Sequence, residues 1–466
     1  MLHRNRTPGS RQPQRAVAKK SLAIVSAATA ALAVLVPTNY STAMPIEDAV
    51  YIALRTHPSI LATQQLGRAT GNAVDIARAG FFPTLDFSLK NGWARTNNTG
   101  TRARATRGPS DTQSIALFKT EASLTLVQML FDGFATSQRT KAAKVRLGGA
   151  EFSVIGASEA VALRAASGYV NVLRGQTLLA QADRYVAAHQ GVVTALETQV
   201  EAGAGTQADL DQAVGRMAVA EAARTQFQGA LMDAEAAFKE VIGDWPSNLS
   251  EPLVVASDLP MDVETVVADA LQSHPSLRSA AQNITALEHD LRAAGAPFFP
   301  KLTLDITGTR NENAGGVEAP TSDTTLMFSI AYNLYKGGAD KAALETAKAL
   351  LMESRLRLDE IQRLIEQGSR VAFNAYQIAS DRIPQLSDAL AAADEAAEAF
   401  PGQFELGERT LLDRLAVEDQ MFAAESGILR WRIVGQRAVF INSGHSSLCV
   451  FFLLSFYFLS FPLLPQ

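Results

Sequence analysis

The chain of 466 residues contains one cysteine, Cys449, which excludes a disulfide framework and a cysteine-based metal site. It has no phosphate-binding loop, dinucleotide fingerprint or Gly-x-Ser-x-Gly motif. Charged residues make up only 19% and the net charge is −5, so a nucleic-acid partner is not indicated. These absences argue against an enzyme and predict no cofactor.

The histidines offer no metal site either. His57 and His274 each precede a proline, and the residue before proline is pushed out of the helical region, so both are interpreted as helix-boundary residues. His189 and His289 have no spaced cysteine, histidine or carboxylate cluster around them in the sequence.

The N-terminus resembles an export signal. A basic segment precedes an apolar run, from Leu22 to Val36, of about 15 residues, which is too short to span a bilayer comfortably. Ser41-Thr42-Ala43 then supplies small residues for a signal peptidase. Residues 1–43 are therefore predicted to be a signal peptide cleaved after Ala43, with an uncleaved membrane anchor as the alternative. Because no cysteine lies near the cleavage site, the mature N-terminus is expected to carry no lipid.

The remaining chain is duplicated. His57-Pro58-Ser59 returns as His274-Pro275-Ser276, and Phe81-Phe82-Pro83 returns as Phe298-Phe299-Pro300, both at an offset of 217 residues. Further along, the offset becomes 204. Its markers are Phe131-Asp132-Gly133 with Tyr335-Lys336-Gly337, Gly203 with Gly407, and Asp209 with Asp413. A period near 210 is far longer than a solenoid repeat, so residues 44–250 and 251–442 are predicted to be two halves of one duplicated fold.

Four segments alternate apolar and polar residues, which indicates strands with one apolar and one wet face. They are centred on Leu85–Trp93, Phe118–Leu126, Leu302–Ile306 and Leu326–Leu334. Each is about 9–11 residues, long enough for a tilted strand to cross a bilayer. Segments Thr96–Ser114 and Asn311–Thr324 are predicted to be exposed extracellular loops.

Strands of this kind also occur as a half-buried hairpin on a soluble domain. Four of them in an exported chain, with no other sheet to pack on, favour a membrane barrel, because lipid tolerates strands only where no backbone edge is left unpaired. Four strands are too few to close a barrel, since the smallest membrane barrels use about eight. Several copies must therefore contribute strands to one barrel.

Long helices are the second expected element. No proline occurs between Ser110 and Trp245, and alanine is abundant. A seven-residue register of mostly small or apolar residues runs from Val145 to Leu173, with Glu159 as its exception. If Gln138–Gln199 is one helix, it reaches roughly 90 Å. A soluble coiled coil would explain these helices but not the strands.

In their order and duplication, these motifs resemble the TolC-like outer-membrane efflux and secretion proteins over roughly Met44 to Ile441. The resemblance rests on the paired His-Pro-Ser and Phe-Phe-Pro segments, the Leu130–Gly133 turn and the Gly407–Asp413 segment. It implies an α+β membrane protein in the outer membrane, a homotrimer whose twelve strands close one barrel. The helices would form a periplasmic coiled-coil tunnel, met by an adaptor protein and an inner-membrane transporter. The amino-acid sequence around Leu130–Ala143 looks closest to that of members that serve type I secretion.

The resemblance also implies a periplasmic gate made of acidic rings and polar links. The matching residues are Asp413 and Arg409, with Asp209 as the counterpart in the first half. A ring of carboxylates would attract cations and raise their own pKa values through like-charge proximity. Taken alone, Asp413 is more typical of a helix cap. Phe404 and Ala416 stand where members can carry a tyrosine and a second acid, which predicts a looser or less cation-selective gate.

Two features of the second half depart from this plan. Pro384 and Pro401 fall in a predicted long helix, where a kink or break is expected. The repeat stops near Ile441, and residues 443–466 form a Phe/Leu/Ser-rich tail. A frameshift or truncation explains this tail better than a membrane anchor of about 17 residues containing Pro462.

The function expected from the sequence is an exit duct that passively conducts cargo, with type I secretion favoured over drug or metal efflux. Its partners would be the outer-membrane lipid, an adaptor, and an ABC or proton-driven transporter. The alternative is a periplasmic coiled-coil adaptor that does not span the membrane.

Overall fold

The computed structural model describes residues 43–105, 114–251, 262–405 and 409–443. The predicted signal peptide and most of the predicted tail therefore lie outside the described residues. Elements of the first half are α1 (Ile46–Thr56), α2 (Pro58–Ala79), β1 (Thr84–Thr96), α3 (Thr99–Ala105), β2 (Ile115–Phe131), α4 (Ala135–Glu201) and α5 (Gln207–Ile242). Those of the second half are α6 (Val263–Ser273), α7 (Pro275–Ala294), β3 (Lys301–Glu312), β4 (Pro320–Ala331), α8 (Ala339–Glu405) and α9 (Leu411–Ser443).

Each half thus follows the predicted order of helix, strand, loop, strand and long helices. The predicted long helix is confirmed, because α4 is continuous over 67 residues, or about 100 Å. Its counterpart α8 also has 67 residues. None of the helices in the described part of the chain combines the length and apolar character needed to cross a bilayer.

The two His-Pro segments begin helices, as predicted. Nδ1 of His57 accepts a hydrogen bond from the Ser59 backbone N–H at 3.2 Å, and Nδ1 of His274 accepts one from Ser276 at 3.1 Å. In each case the histidine is the N-cap residue and proline follows at the first helical position, where its missing N–H costs nothing. These two histidines therefore have a capping role.

The four strands form one antiparallel sheet in the order β1-β2-β3-β4. The register places apolar residues opposite one another on one face, in the row Leu85, Leu126, Ile306, Leu326. The adjacent row lies on the other face and is polar: Asp86, Thr125, Thr307, Thr325. The alternation read from the sequence is therefore confirmed in these rows, whereas further along the strands the apolar face also carries the polar row Asn91, Thr120 and Glu312.

All four strands extend beyond the predicted segments toward the two loops, and β4 stops short of its predicted C-terminal end. They contain 12 to 17 residues, because β3 continues to Glu312 and β4 already begins at Pro320. The second predicted loop is shorter than expected, since Asn313, Gly315 and Gly316 have positive φ and reverse the chain within a few residues. The first predicted loop contains α3. Strand β4 ends at Ala331, so the prediction that it includes Tyr332 and Leu334 was wrong.

The expected break at the prolines of α8 is also wrong, because the helix continues through Pro384 and Pro401. Proline itself has a helical φ and removes one hydrogen bond, to the carbonyl four residues earlier. Both prolines lie on the exposed side of α8, where water can hydrate the carbonyls of Ser380 and Ala397.

The main core joins α1, α4 and α5 around Tyr169 and Phe238, both fully buried. The Tyr169 hydroxyl lies 2.6 Å from the Met44 carbonyl and 2.7 Å from that of Ser250, and it accepts a bond from the Ser250 N–H at 2.9 Å. Met44 also forms a parallel bridge with Leu249. The buried Tyr169 hydroxyl thus links Met44 and Ser250, at the two ends of the first half, to α4.

Helices α4 and α5 approach each other closely at two glycines that lie outside the seven-residue register. A Cβ at Gly175 would lie 3.2 Å from the Cα of Leu231, and one at Gly168 would lie 3.7 Å from the Cα of Phe238. Glu159, the exception in that register, is half-buried, and this burial raises its pKa to about 7.

Candidate gate at one end of the helical bundle

The sequence-predicted gate residues lie where two long helix pairs turn back. Helix α4 passes into α5 through residues 202–206, and α8 passes into α9 through residues 406–410, of which 406–408 are outside the described part. In the first turn Gly203 has a φ of +72°, and the N–H groups of Ala204 and Gly205 both donate to the Gln199 carbonyl. The turn thereby satisfies carbonyl groups at the end of α4.

A hydrophobic cluster holds these four helix ends together, and we refer to it as the end cluster. Its buried members are Val192, Val193, Leu196, Ala213, Phe400, Leu411 and Leu415. The cluster draws on α4, α5, α8 and α9, so the structure brings the turn carrying Asp209 and the turn carrying Asp413 to the same packed end. Sequence spacing alone could not place them together.

Asp413 caps α9. Its Oδ2 accepts hydrogen bonds from the Thr410 N–H at 2.8 Å and the Thr410 hydroxyl at 2.9 Å, and its own N–H donates to Thr410 Oγ1 at 3.3 Å. This reciprocal arrangement is a capping box, which satisfies backbone donors at a helix start. The cap expected from the residue alone is therefore present in the structure.

Asp209 occupies the same position on α5. Thr206 is the N-cap, its hydroxyl donates to Asp209 Oδ2 at 2.7 Å, and it accepts from the Asp209 N–H at 3.2 Å. The duplication thus preserves the cap as well as the residue. Arg409 is exposed one residue before Thr410, and its charge acts on Asp413.

The hydrogen bonds from Thr410 lower the pKa of Asp413, and the charge of Arg409 adds to this effect. A lowered pKa means that the cap is fully formed above the ordinary carboxyl range and is lost only as pH falls through the folded-state value. Within one chain the shift is therefore opposite to the rise expected from an acidic ring. That rise depends on neighbouring copies and stays a prediction.

Phe404 and Ala416, the two positions at which this chain departs from the expected gate, lie in different environments. Phe404 stacks on Phe400 with ring centroids 5.9 Å apart and packs on the end cluster, whereas Ala416 is exposed. Phe404 contributes apolar packing where a tyrosine would offer a hydroxyl.

Sequence reasoning missed a polar cluster that joins three helices, which we call the three-helix polar cluster. It consists of Tyr185 and His189 on α4, Arg216 on α5 and Asp419 on α9. Asp419 is 230 residues from His189 in sequence, so no local spacing could have revealed the pair. Within the described ranges, no three His, Cys, Asp or Glu side chains are grouped so as to hold a metal ion.

Comparison with known proteins agrees with this architecture. The family described as "Outer membrane efflux protein" matches residues 49–244 and 266–433, which is most of the chain. The chain belongs to the outer membrane efflux protein family. This confirms the resemblance inferred from the duplicated motifs and the outer-membrane location. The family description names a transport protein and no enzymatic activity.

Individual members of the outer membrane efflux protein family are related at low identity. Outer membrane efflux protein BepC of Brucella suis is 24% identical over 77% of this chain and 75% of its own length. The Proteases secretion protein PrtF of Dickeya chrysanthemi is 24% identical over 82% of this chain and 83% of its own. The solved structure of the outer-membrane channel OprN superposes with a TM-score of 0.74 at 17% identity, covering 86% and 89% of the two chains.

Proposed function

We propose that the chain is the outer-membrane exit duct of a tripartite transport system and conducts cargo passively. The observation that carries this proposal is the four-stranded sheet, whose apolar face is exposed in a single chain. Phe87 is 69% exposed and Phe328 is 71% exposed, and further exposed apolar residues on the same face are Leu85, Leu89, Leu124, Leu326 and Ile330. Lipid is the environment that suits such a face, while the polar face suits a wet lumen.

The sheet edges support a homotrimer. Strands β1 and β4 each have only one neighbour among the described strands, so each leaves a row of backbone groups unpaired. In a bilayer such edges must be paired, and pairing β4 of one copy with β1 of the next closes a ring. Three copies supply twelve strands, above the minimum of about eight that membrane barrels use.

Helix α8 supports the same assembly. Leu350, Leu364, Val371 and Ile378 are spaced by multiples of seven residues, and each is about half exposed or more. A seven-residue apolar repeat is the pattern that packs against another long helix. Within one chain this stripe is uncovered, and a neighbouring copy would cover it as part of a helical tunnel.

Type I secretion is the favoured branch, with an adaptor and an ABC transporter as partners. The name of PrtF, a proteases secretion protein, supports this choice, together with the Leu130–Ala143 segment. Drug or metal efflux with a proton-driven pump is the alternative, supported by the name of BepC. Co-purification of the transporter from the native envelope separates the two. A non-spanning adaptor would leave the apolar sheet face without a use.

The duct is tested by fractionation of the full chain. We expect carbonate-resistant outer-membrane trimers that run as a compact species on unheated gels and as monomers after heating, because a closed barrel resists detergent until heated. Purified trimers should conduct ions in planar bilayers. A monomer recovered in the soluble periplasmic fraction would contradict the duct and favour the adaptor.

For the gate, we propose that Asp413, with Arg409 and Asp209 nearby in each copy, lines the narrow end. Asp413→Ala is expected to raise single-channel conductance or to weaken divalent-cation block by roughly fivefold, the effect of losing ~1 kcal/mol of cation attraction in total from the ring. Asp413→Asn removes the charge and keeps an acceptor, whereas Thr410→Val disturbs the cap and keeps the charge. Asp413→Asn should therefore reproduce the effect and Thr410→Val should not. Unchanged conductance and block in both Asp413 variants would exclude the gate.

A further inference from the structure

The three-helix polar cluster lies where the two helix pairs meet, and His189 is its buried member, whereas the side chains of Arg216 and Asp419 are 35% and 43% exposed. His189 is 0% exposed, and Tyr185 stacks on Phe422 of α9 with ring centroids 4.4 Å apart. The Tyr185 hydroxyl donates to Asp419 Oδ1 at 2.5 Å. Because α4 belongs to the first helix pair and α9 to the second, these contacts must break if the pairs separate.

Both ring nitrogens of His189 face oxygen acceptors. Nδ1 lies 3.0 Å from the Tyr185 carbonyl oxygen, and Nε2 lies 3.5 Å from Asp419 Oδ1. A neutral imidazole carries one N–H, so either tautomer leaves a nitrogen lone pair opposite an oxygen. Nε2 accordingly has no hydrogen-bond partner among the described residues although it is buried. Only the doubly protonated ring donates at both positions.

The charges around His189 partly oppose one another. Asp419 also lies 3.7 Å from Nη1 of Arg216, a buried nitrogen that likewise has no hydrogen-bond partner in the described part of the chain. Burial and Arg216 disfavour a second cation, while the Asp419 carboxylate favours it. The other charged groups near these residues are Glu418 with Arg414 on α9, and Arg184 on α4 with Glu425 on α9.

Tyr185 keeps its proton throughout the accessible pH range. Burial raises the pKa of its hydroxyl, and the hydrogen bond to Asp419 raises it further. The phenol therefore remains a donor to Asp419, and the Arg216 guanidinium remains charged. Among the side-chain types in the cluster, histidine is the one that ordinarily changes charge between pH 5 and 8.

We infer that His189 is a proton-binding site that strengthens the attachment of α4 to α9 as pH falls. The proton supplies the missing donor at Nε2 and turns the 3.5 Å contact with Asp419 into a charged hydrogen bond. When the helix pairs separate, His189 loses the Asp419 carboxylate, whose effect in this proposal exceeds the opposing effects of burial and Arg216, and it then binds the proton less tightly. If the affinities differ tenfold, acidification favours the joined state by about tenfold. That this state resists opening of the duct rests on the proposed function.

Hydrogen–deuterium exchange of the assembled protein tests the site at pH 7.5 and 5.5, after correction for the intrinsic exchange rate. We expect exchange in residues 411–425 to slow by about tenfold at pH 5.5 in the wild type. His189→Gln and Asp419→Asn should lose this response. His289→Gln is the matched control, because His289 is on α7 and contacts Gln138 near the other end of α4. It should respond as the wild type does.

A wild type without this pH response, or a His189→Gln variant that keeps it, would overturn the inference. Should neither cluster variant assemble, the wild type decides: protection must rise in residues 181–193 and 411–425 but not in 58–79. Exchange does not require conduction. A protein that shows the pH response but forms no channel would therefore contradict the duct and leave the proton site standing.

Discussion

Phe87→Arg is expected to abolish most of the trimer in the outer membrane. Phe87 lies in the apolar face of the sheet opposite Leu124, between Leu85 and Leu89 on its own strand. In a membrane barrel, an arginine on the lipid face near the midplane costs about 2–4 kcal/mol. Every copy in the assembly bears this cost. Since about 1.4 kcal/mol is a factor of ten, carbonate-resistant trimers should fall by more than about tenfold in a quantitative immunoblot.

Ser88→Arg is the matched control. Ser88 is the next residue on β1, pairs with Ser123 and lies on the polar face, which would line the lumen. An arginine there remains hydrated, so trimer abundance should stay close to that of the wild type. Equal losses for the two variants would show that β1 tolerates no arginine for another reason. No loss for Phe87→Arg would exclude lipid contact of this face.

Gly133→Ala is expected to destabilise the junction between sheet and helices by about 2–5 kcal/mol. Gly133 has a φ of +67°, and an L-residue there costs roughly 1–2 kcal/mol. The added Cβ would also lie 2.6 Å from the Ala296 carbonyl oxygen and 3.0 Å from the Phe299 Cβ. Backbone at Ala296 must then move, and such overpacking costs typically 1–3 kcal/mol. The Leu130–Gly133 turn therefore contacts the residues just before β3, Ala296 and Phe299, at this glycine.

Gly337→Ala separates the two contributions. Gly337 is the counterpart of Gly133 at the 204-residue offset, with a φ of +62°, and a Cβ there would meet nothing within 4 Å among the described residues. Gly337→Ala should therefore lose only the roughly 1–2 kcal/mol that an L-residue with positive φ costs. Heating series on gels should show trimers of Gly133→Ala dissociating at a temperature lowered at least about twice as far as for Gly337→Ala. Equal shifts would contradict the contact with Ala296.

Local patterns sufficed for much of the fold. Alternating residues such as Leu85 and Asp86 predicted strands, and the structure confirms that their rows lie on opposite faces of the sheet. The absence of proline between Ser110 and Trp245 predicted a long α4. Patterns failed where a chain reversal or a missing hydrogen bond decided the outcome. Examples are the tight turn at Gly315 and Gly316, which lengthens β3 and β4, and the two prolines that α8 accommodates on its exposed side.

The candidate gate shows the same division. Thr410-x-x-Asp413 is a capping box that local sequence can predict, since its partners are three residues apart. The end cluster beneath it could not be predicted, because Val192, Phe400 and Leu411 come from three helices. His189 seemed to be isolated for the same reason. Its carboxylate partner Asp419 approaches only when α9 packs against α4.

The sequence alone determined the duplicated order of elements, the character of each sheet face and the caps at helix starts. The duplicated order follows from motifs that recur at offsets of 217 and 204 residues, and the other two follow from residues within a few positions of one another, whose periodicity dictates which side is buried. Tertiary structure alone decided which helices share the end cluster and which charge faces His189. It also decided that Gly133, unlike Gly337, has no room for a Cβ. These depend on contacts between segments more than 100 residues apart, and such contacts arise only when the long helices pack.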